Sequence, residues 1–112
     1  MAKKKLFNQN IFWGADNLDY FSALREGHFH TRHNTVWTEL NKATDRLVVG
    51  MPPMLGKDIK DYFNNVTKNY PGTGTRGAQD EGRANAGRHI SALVRLGVLK
   101  PVVQNGKPVK IY

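Results

Sequence analysis

Four stretches of the chain carry apolar side chains at the three- and four-residue spacing of an amphipathic helix. In the first, Leu18, Phe21 and Leu24 share one face, which we expect to enter the core. Asp16 precedes this helix as a predicted N-cap, and Gly27 is predicted to end it. The other predicted helices cover about 34–47, 56–69, and a segment that begins between 80 and 85 and ends at 97. The pattern therefore predicts a mainly α-helical chain.

Two segments interrupt this helical pattern. Pro52 and Pro53 lack backbone donors and push the preceding residue out of helical geometry, so the second helix must end before them. Residues 71–77 hold a proline and three glycines, a composition with much conformational freedom and little surface to bury. We predict a flexible glycine-rich loop over 71–84.

The last residues have a pattern typical of two antiparallel strands. Strand-forming residues flank Asn105-Gly106, a pair that favours a two-residue turn with both residues at positive φ. In that register Gln104 faces Lys107 across a narrow ribbon. The sequence therefore predicts a mainly α fold with a small C-terminal β-hairpin.

Positive charge is concentrated at the two ends of the sequence, and the formal net charge is +8. Residues 1–13 carry +3, residues 14–70 balance seven bases against seven acids, and residues 71–112 carry +5. A charge that served solubility alone would not leave the middle neutral. The two ends are therefore predicted to meet a polyanion.

Length and composition predict one domain with one modest core. The chain has 112 residues, 39% of them hydrophobic, and no Cys, so neither a disulfide nor a thiolate metal site can form. No apolar stretch approaches the roughly 20 residues that span a bilayer, and no signal peptide follows the basic start. We expect a basic, aromatic N-terminal arm over 1–13 that packs on a single domain over 14–112, and a cytoplasmic, nucleoid-associated location.

The fourth predicted helix has an apolar side and a basic side. At about 100° per residue, Ile90 and Leu93 fall together and point towards the core. The opposite side is predicted to contact DNA bases through Asn85, Arg88 and Ala92, because Asn pairs with adenine, Arg with guanine, and a small methyl reaches thymine. The predicted phosphate contacts are Arg76, Arg83, His89, Ser91, Arg95, Lys100, Lys107, Lys110, Lys3, Lys4 and Lys5.

The run from Arg88 to Tyr112 resembles the recognition helix and wing of winged helix-turn-helix domains. In that family a helix of the form His-Ile-x-x-Leu-x-x-Leu-Gly-Val-Leu precedes a two-stranded wing, and the same pattern runs here from His89 to Leu99. The resemblance implies that 57–69 forms the helix before the recognition helix, and that either 36–47 or 16–25 forms the first helix. The turn before the recognition helix usually has only a few residues, whereas 71–83 is much longer here.

These features predict sequence-specific binding of double-stranded DNA by a small transcriptional regulator, with helix 85–96 in the major groove. The hairpin over 98–112 would lie on the DNA backbone or in the minor groove. A homodimer, joined through the arm or the first helix, is a further expectation. The alternatives are an RNA-binding or ribosome-associated basic protein, and a protein-binding adaptor in a nucleoprotein complex.

Two further patterns raise the question of an enzyme. His28, His30 and His33 are spaced so that two imidazoles could reach one metal ion. With Glu26 they make a metal-dependent nuclease the enzymatic alternative, although the paired carboxylates that bind Mg²⁺ are missing beside them. Residues 72–77 spell G-x-G-x-x-G, but the strand that a dinucleotide site requires does not precede them. We therefore predict no enzyme, no metal and no cofactor.

Overall fold

The computed structural model describes residues 7–27, 35–68 and 78–109, with side chains for 7–27, 37–68 and 84–109. Its helices are α1 (Asn17–Arg25), α2 (Thr35–Gly50), α3 (Gly56–Thr67) and α4 (Ala78–Arg95). Its strands are β1 (Phe12–Ala15), β2 (Met54–Leu55), β3 (Leu99–Pro101), β4 (Val103–Gln104) and β5 (Lys107–Pro108). The described chain is mainly helical with small antiparallel sheets, as the hydrophobic pattern predicted. Across these three ranges, no helix combines the length and the apolar character needed to cross a bilayer.

Helix α1 begins and ends as its sequence predicted. Asp16 is the N-cap, and its Oδ1 accepts a hydrogen bond from the backbone N–H of Asp19 at 3.0 Å. Gly27 follows the last turn with a φ of 78°, a left-handed conformation that glycine adopts without a Cβ penalty. Local capping chemistry therefore determines both ends of this helix.

The rotation of α1 differs from the prediction. Leu18, Phe21 and Leu24 were expected in the core, and all three are exposed. Tyr20 is buried instead, and its hydroxyl donates a hydrogen bond to Asp45 on α2. Because Tyr20 buries a large ring and pairs its polar tip at the same time, its contact with α2 sets which side of α1 faces inward.

Helices α2 and α3 lie where the pattern predicted them, with Pro52 and Pro53 in the break between them. Helix α4 begins earlier than predicted, since residues 78–84 of the expected glycine-rich loop are helical. Gly97 follows its last turn with a φ of 79°, as a C-terminal capping glycine does. The rest of the expected loop, 71–77, lies outside the described residues.

Strand β1 is the central strand of a three-stranded antiparallel sheet with the order β2-β1-β3. In this strand Trp13 is buried, and its indole Nε1 donates a hydrogen bond to the Asn8 carbonyl at 2.8 Å. The ring of Phe7 stacks on Trp13 with 5.2 Å between centroids. Aromatic residues of the N-terminal segment therefore pack on the domain, and β1 crosses the arm boundary expected at residue 13.

Strands β4 and β5 form a two-stranded ribbon that is closed by Asn105 and Gly106. The φ angles of these residues are 54° and 77°, both positive as a type I′ turn requires. The base of the ribbon is attached to the larger sheet, because the backbone N–H of Phe12 donates to the Val109 carbonyl at 3.0 Å. Strand β1 therefore holds the ribbon in place beside β3.

The core lies between α2, α3 and α4. Leu40, Phe63 and Leu93 contribute one fully buried side chain from each helix. Trp13 and Leu99 extend the same core to the sheet. Burying a side chain of this size contributes about 1.5–3 kcal/mol, so these contacts hold α4 in one orientation on the domain.

At Gly56, the backbone of α3 lies in close contact with the backbone of the N-terminal segment. A Cβ at Gly56 would lie 2.6 Å from the Asn8 carbonyl oxygen and 2.9 Å from the Gln9 Cα. We expect Gly56→Ala to lower the free energy of unfolding by about 1–3 kcal/mol in urea denaturation, because backbone atoms must move to admit the methyl. Gly87→Ala in α4 is the matched control, since its Cβ would meet nothing within 4 Å. The control is expected to raise the free energy of unfolding by roughly 0.5–1 kcal/mol, and equal effects of the two changes would contradict the close approach.

Candidate nucleic-acid interface

Helix α4 packs one row of side chains on the core. Ile90 and Leu93 are buried in this row, as predicted. Asn85 and His89 were predicted on the open side, and this placement is wrong because their relative exposures are 9% and 2%. Residues 85, 89 and 93 lie four residues apart and so share one side of the helix. The centre of the buried side is therefore rotated by roughly 50° from the direction that the sequence predicted. Neither Asn85 nor His89 is therefore available to contact DNA from this helix.

His89 lies where α2, α3 and α4 meet. The centroid of its ring is 5.2 Å from that of Phe63 and 6.3 Å from that of Trp37. Its Nε2 lies 2.6 Å from the Thr44 Oγ1, and the Thr44 hydroxyl donates its proton to the Leu40 carbonyl. His89 Nε2 and the Thr44 hydroxyl therefore share a buried hydrogen bond. Burial lowers the pKa of His89 to about 4, so the ring is neutral at pH 7.

The exposed side of α4 carries basic residues and residues with small side chains. Arg88 and Arg95 are exposed and lie seven residues apart on the same side, about 10 Å along the axis. Ser91 lies between the two arginines and Gly87 lies beside Arg88, and both are half-buried. Ala92 is half-buried at the edge of this side. The prediction did not include Gly87, although its spacing of four residues from Ser91 was a signal for it. We call Gly87, Arg88, Ser91, Ala92 and Arg95 the α4 face.

The sequence around the α4 face carries charge of one sign. From Gly82 to Tyr112 there are six basic residues and no acidic residue. Charges within about one Debye length of each other, roughly 10 Å in dilute salt, add to a common field. Arg88 and Arg95, about 10 Å apart along α4, are close enough for their fields to add at an anion.

Lys100 was predicted to contact phosphate, but it pairs with two carboxylates of the same chain. Its Nζ lies 3.0 Å from Asp16 Oδ2 and 2.6 Å from Asp19 Oδ2. Its hydrogen bonds with Asp19 and Asp16 raise the pKa of Lys100. The pKa of Asp16 is lowered, first by the backbone N–H of Asp19 and then by Lys100. Because these partners lie more than eighty residues earlier in the chain, no local pattern could have revealed the pairing.

The β4–β5 ribbon carries a second exposed basic position. Lys107 is exposed on the ribbon and faces Gln104, as predicted. Val103 is also exposed, at 56% of its surface. The ribbon therefore presents a lysine and polar amides at its tip.

Several predicted contacts lie outside the side chains that the structure describes: Lys3, Lys4, Lys5, Arg76, Arg83 and Lys110. The same is true of the His28, His30 and His33 cluster. Among the described side chains, no group of three His, Asp or Glu comes together as metal ligands. The candidate site therefore consists of the α4 face and the ribbon.

Comparison with known proteins gave no relative. No family model matches the chain, and no curated protein or solved structure matches it either.

Proposed function

We propose that the chain binds double-stranded DNA in a sequence-specific manner and serves as a small transcriptional regulator. The α4 face would enter the major groove, and the ribbon would contact the DNA backbone or the minor groove. The observation that carries this proposal is the exposure of Arg88 and Arg95 on a helix whose other side is buried in the core. A helix held in this way can present fixed donors to base edges without the loss of order that a free arm would suffer.

The order of the elements supports a winged-helix interpretation. Helices α2, α3 and α4 follow one another, and the chain then continues through β3 into the β4–β5 ribbon. In winged-helix domains the recognition helix precedes a two-stranded wing, which the ribbon resembles. In this interpretation α2 is the first helix, α3 precedes the recognition helix, and α4 is the recognition helix itself. Helix α1 and strand β1 are then additions to the arrangement.

The shape of the α4 face favours contact with a groove. Gly87 has open space at its Cβ position, and Ser91 and Ala92 are small, so the helix axis could come close to the groove floor. Arg88 is then placed to form bidentate hydrogen bonds to guanine, each such pair being worth about 1–3 kcal/mol of discrimination. Arg95, at the end of the helix, is assigned to a phosphate, where it adds affinity without sequence preference.

Fluorescence anisotropy with labelled duplexes tests this proposal. The chain is expected to bind random duplex DNA with an affinity that falls steeply as salt rises from about 50 to about 300 mM, because counterions are released. A duplex selected from a random pool should bind more tightly than the random one. Equal affinity for random DNA and for structured RNA would replace the regulator with the RNA-binding alternative, and a chain that binds no duplex would overturn the proposal.

Arg88 and Lys107 are expected to contribute differently to DNA binding. Arg88→Ala should weaken the selected duplex about tenfold or more and random duplexes much less, because base contacts carry sequence preference. Lys107→Ala should weaken all duplexes by a similar, smaller factor and reduce the salt dependence by about one phosphate contact. Competition binding of the two duplexes measures both effects. An unchanged preference in Arg88→Ala would show that another residue contacts the bases.

A further inference from the structure

Helix α1 carries an apolar stripe that the described chain leaves exposed. The relative exposures are 82% for Leu18, 49% for Phe21 and 38% for Leu24. These residues follow one another at three-residue intervals, so they lie along one side of the helix. Single exposed apolar residues are ordinary, whereas a contiguous row of three on a nine-residue helix is typical of a contact surface.

The stripe belongs to a firmly held helix. Asp16 caps the N-terminus of α1, and Lys100 pairs with both Asp16 and Asp19. The buried Tyr20 donates a hydrogen bond to Asp45 on α2. Since these contacts fix the rotation of α1, the outward direction of the stripe does not depend on fraying of the helix.

The arrangement of the stripe is symmetric. The sequence of residues 18–24 places a leucine three positions before Phe21 and another leucine three positions after it. A two-fold axis through Phe21 therefore maps the stripe onto itself when two copies of α1 pack antiparallel. Leu18 of each copy then faces Leu24 of the other, and the two Phe21 rings meet on the axis. Such self-complementarity is what an isologous interface requires.

The charges at the two ends of α1 fit the same arrangement. Arg25 lies four residues after Phe21, on the side of the stripe, whereas Glu26 lies on another side. The N-terminal end holds two carboxylates against one ammonium, from Asp16, Asp19 and Lys100. In an antiparallel pair, each Arg25 approaches the N-terminal end of the other copy, where the charge is net negative.

We propose that the α1 stripe is the interface of a homodimer in which two α1 helices pack antiparallel about Phe21. The three exposed side chains offer about 300 Å² per copy, below the roughly 800 Å² per partner of a standard interface. The dimer is therefore weak and reversible. The stripe shares no residue with the α4 face, so its test needs no nucleic acid.

Sedimentation equilibrium of the full chain tests the interface from about 1 to about 500 micromolar. Wild-type chain is expected to pass from monomer to dimer over this range. Leu18→Lys and Leu24→Glu should each weaken self-association at least about tenfold, because each places an unpaired charge against a leucine. Asn65→Lys on α3 is the matched control, since it adds the same ammonium at an exposed position elsewhere, and it should leave self-association unchanged.

Mixing the two weakened variants tests the antiparallel arrangement itself. In an equimolar mixture, the introduced ammonium at position 18 of one chain faces the introduced carboxylate at position 24 of the other, while Leu24 and Leu18 meet on the opposite side of the axis. A heterodimer is therefore expected to form with near wild-type affinity. Absence of recovery on mixing would overturn the antiparallel pairing. A wild-type chain that stays monomeric up to about 500 micromolar would overturn the homodimer and leave the stripe to a different protein partner.

Discussion

Acidification from neutral pH to about pH 4 is expected to lower the free energy of unfolding by about 3 kcal/mol through His89 alone. The imidazole is almost fully buried between α2, α3 and α4, and it packs against the rings of Phe63 and Trp37. A charged ring would lose its hydration in this position, which is why burial lowers the pKa of His89 to about 4.

The direction of the pH effect follows from proton binding in the two states. The unfolded chain binds a proton at position 89 below its ordinary pKa of 6.5, whereas the folded chain binds it only below about 4. Between these values the unfolded state holds the extra proton, so stability falls as the pH falls. The contribution of the neutral ring is complete above about pH 6.5 and is lost by about pH 4.

Urea denaturation at several pH values, in wild type and in His89→Gln, measures this contribution. The glutamine amide carries both a donor and an acceptor for the Thr44 hydroxyl but does not titrate. Between pH 6.5 and 4, the free energy of unfolding of wild type is expected to fall by about 3 kcal/mol more than that of the variant. The other titrating groups are present in both proteins, so their contribution cancels in this difference. A His89 ring that titrates near 6.5 in the folded chain, followed by NMR, would contradict its burial.

The second large effect is expected from removing both arginines of the α4 face. Arg88→Ala combined with Arg95→Ala should weaken binding to the selected duplex about 100-fold and lower the salt slope by about one, since Arg95 is the phosphate contact of the pair. Both residues are exposed, so the free energy of unfolding should change little. Measuring the affinity at four or more salt concentrations gives both quantities.

A matched double variant separates a specific contact from net charge. Lys42→Ala with Lys57→Ala removes the same two charges from exposed positions on α2 and α3. It should weaken DNA binding by less than about threefold, because charges away from the interface act only through the screened field. Equal losses in the two double variants would mean that net charge, and not the α4 face, accounts for binding.

The local features of this fold could be predicted from the sequence because they depend on nearby residues. The cap at Asp16, the glycines after α1 and α4, and the turn at Asn105-Gly106 are each determined by side-chain chemistry within a few positions. The end of α2 before Pro52 and Pro53 is local in the same way, because prolines lack a backbone donor. These features place the helices along the chain but do not orient them.

Orientation and pairing depend on contacts that are distant in the sequence. The rotation of α4 depends on whether a polar residue such as His89 finds a buried partner, and that partner, Thr44, lies on another helix. Lys100 was assigned to phosphate because its carboxylate partners, Asp16 and Asp19, are distant in the sequence and lie at the N-terminal end of α1. The inward side of α1 was mistaken because the pairing of Tyr20 with Asp45 outweighed the row of leucines and Phe21. Charge and periodicity thus located the candidate site, and long-range packing decided which side chains belong to it.

The contact surface on DNA can be located directly by NMR, from the shifts of backbone amide signals as a duplex is added to the chain at low salt. The largest shifts are expected at residues 87–95 of α4 and at residues 103–107 of the ribbon, with little change along the exposed side of α1. Shifts confined to α1 or α3, with α4 unaffected, would contradict the assignment of the α4 face as the DNA-binding surface.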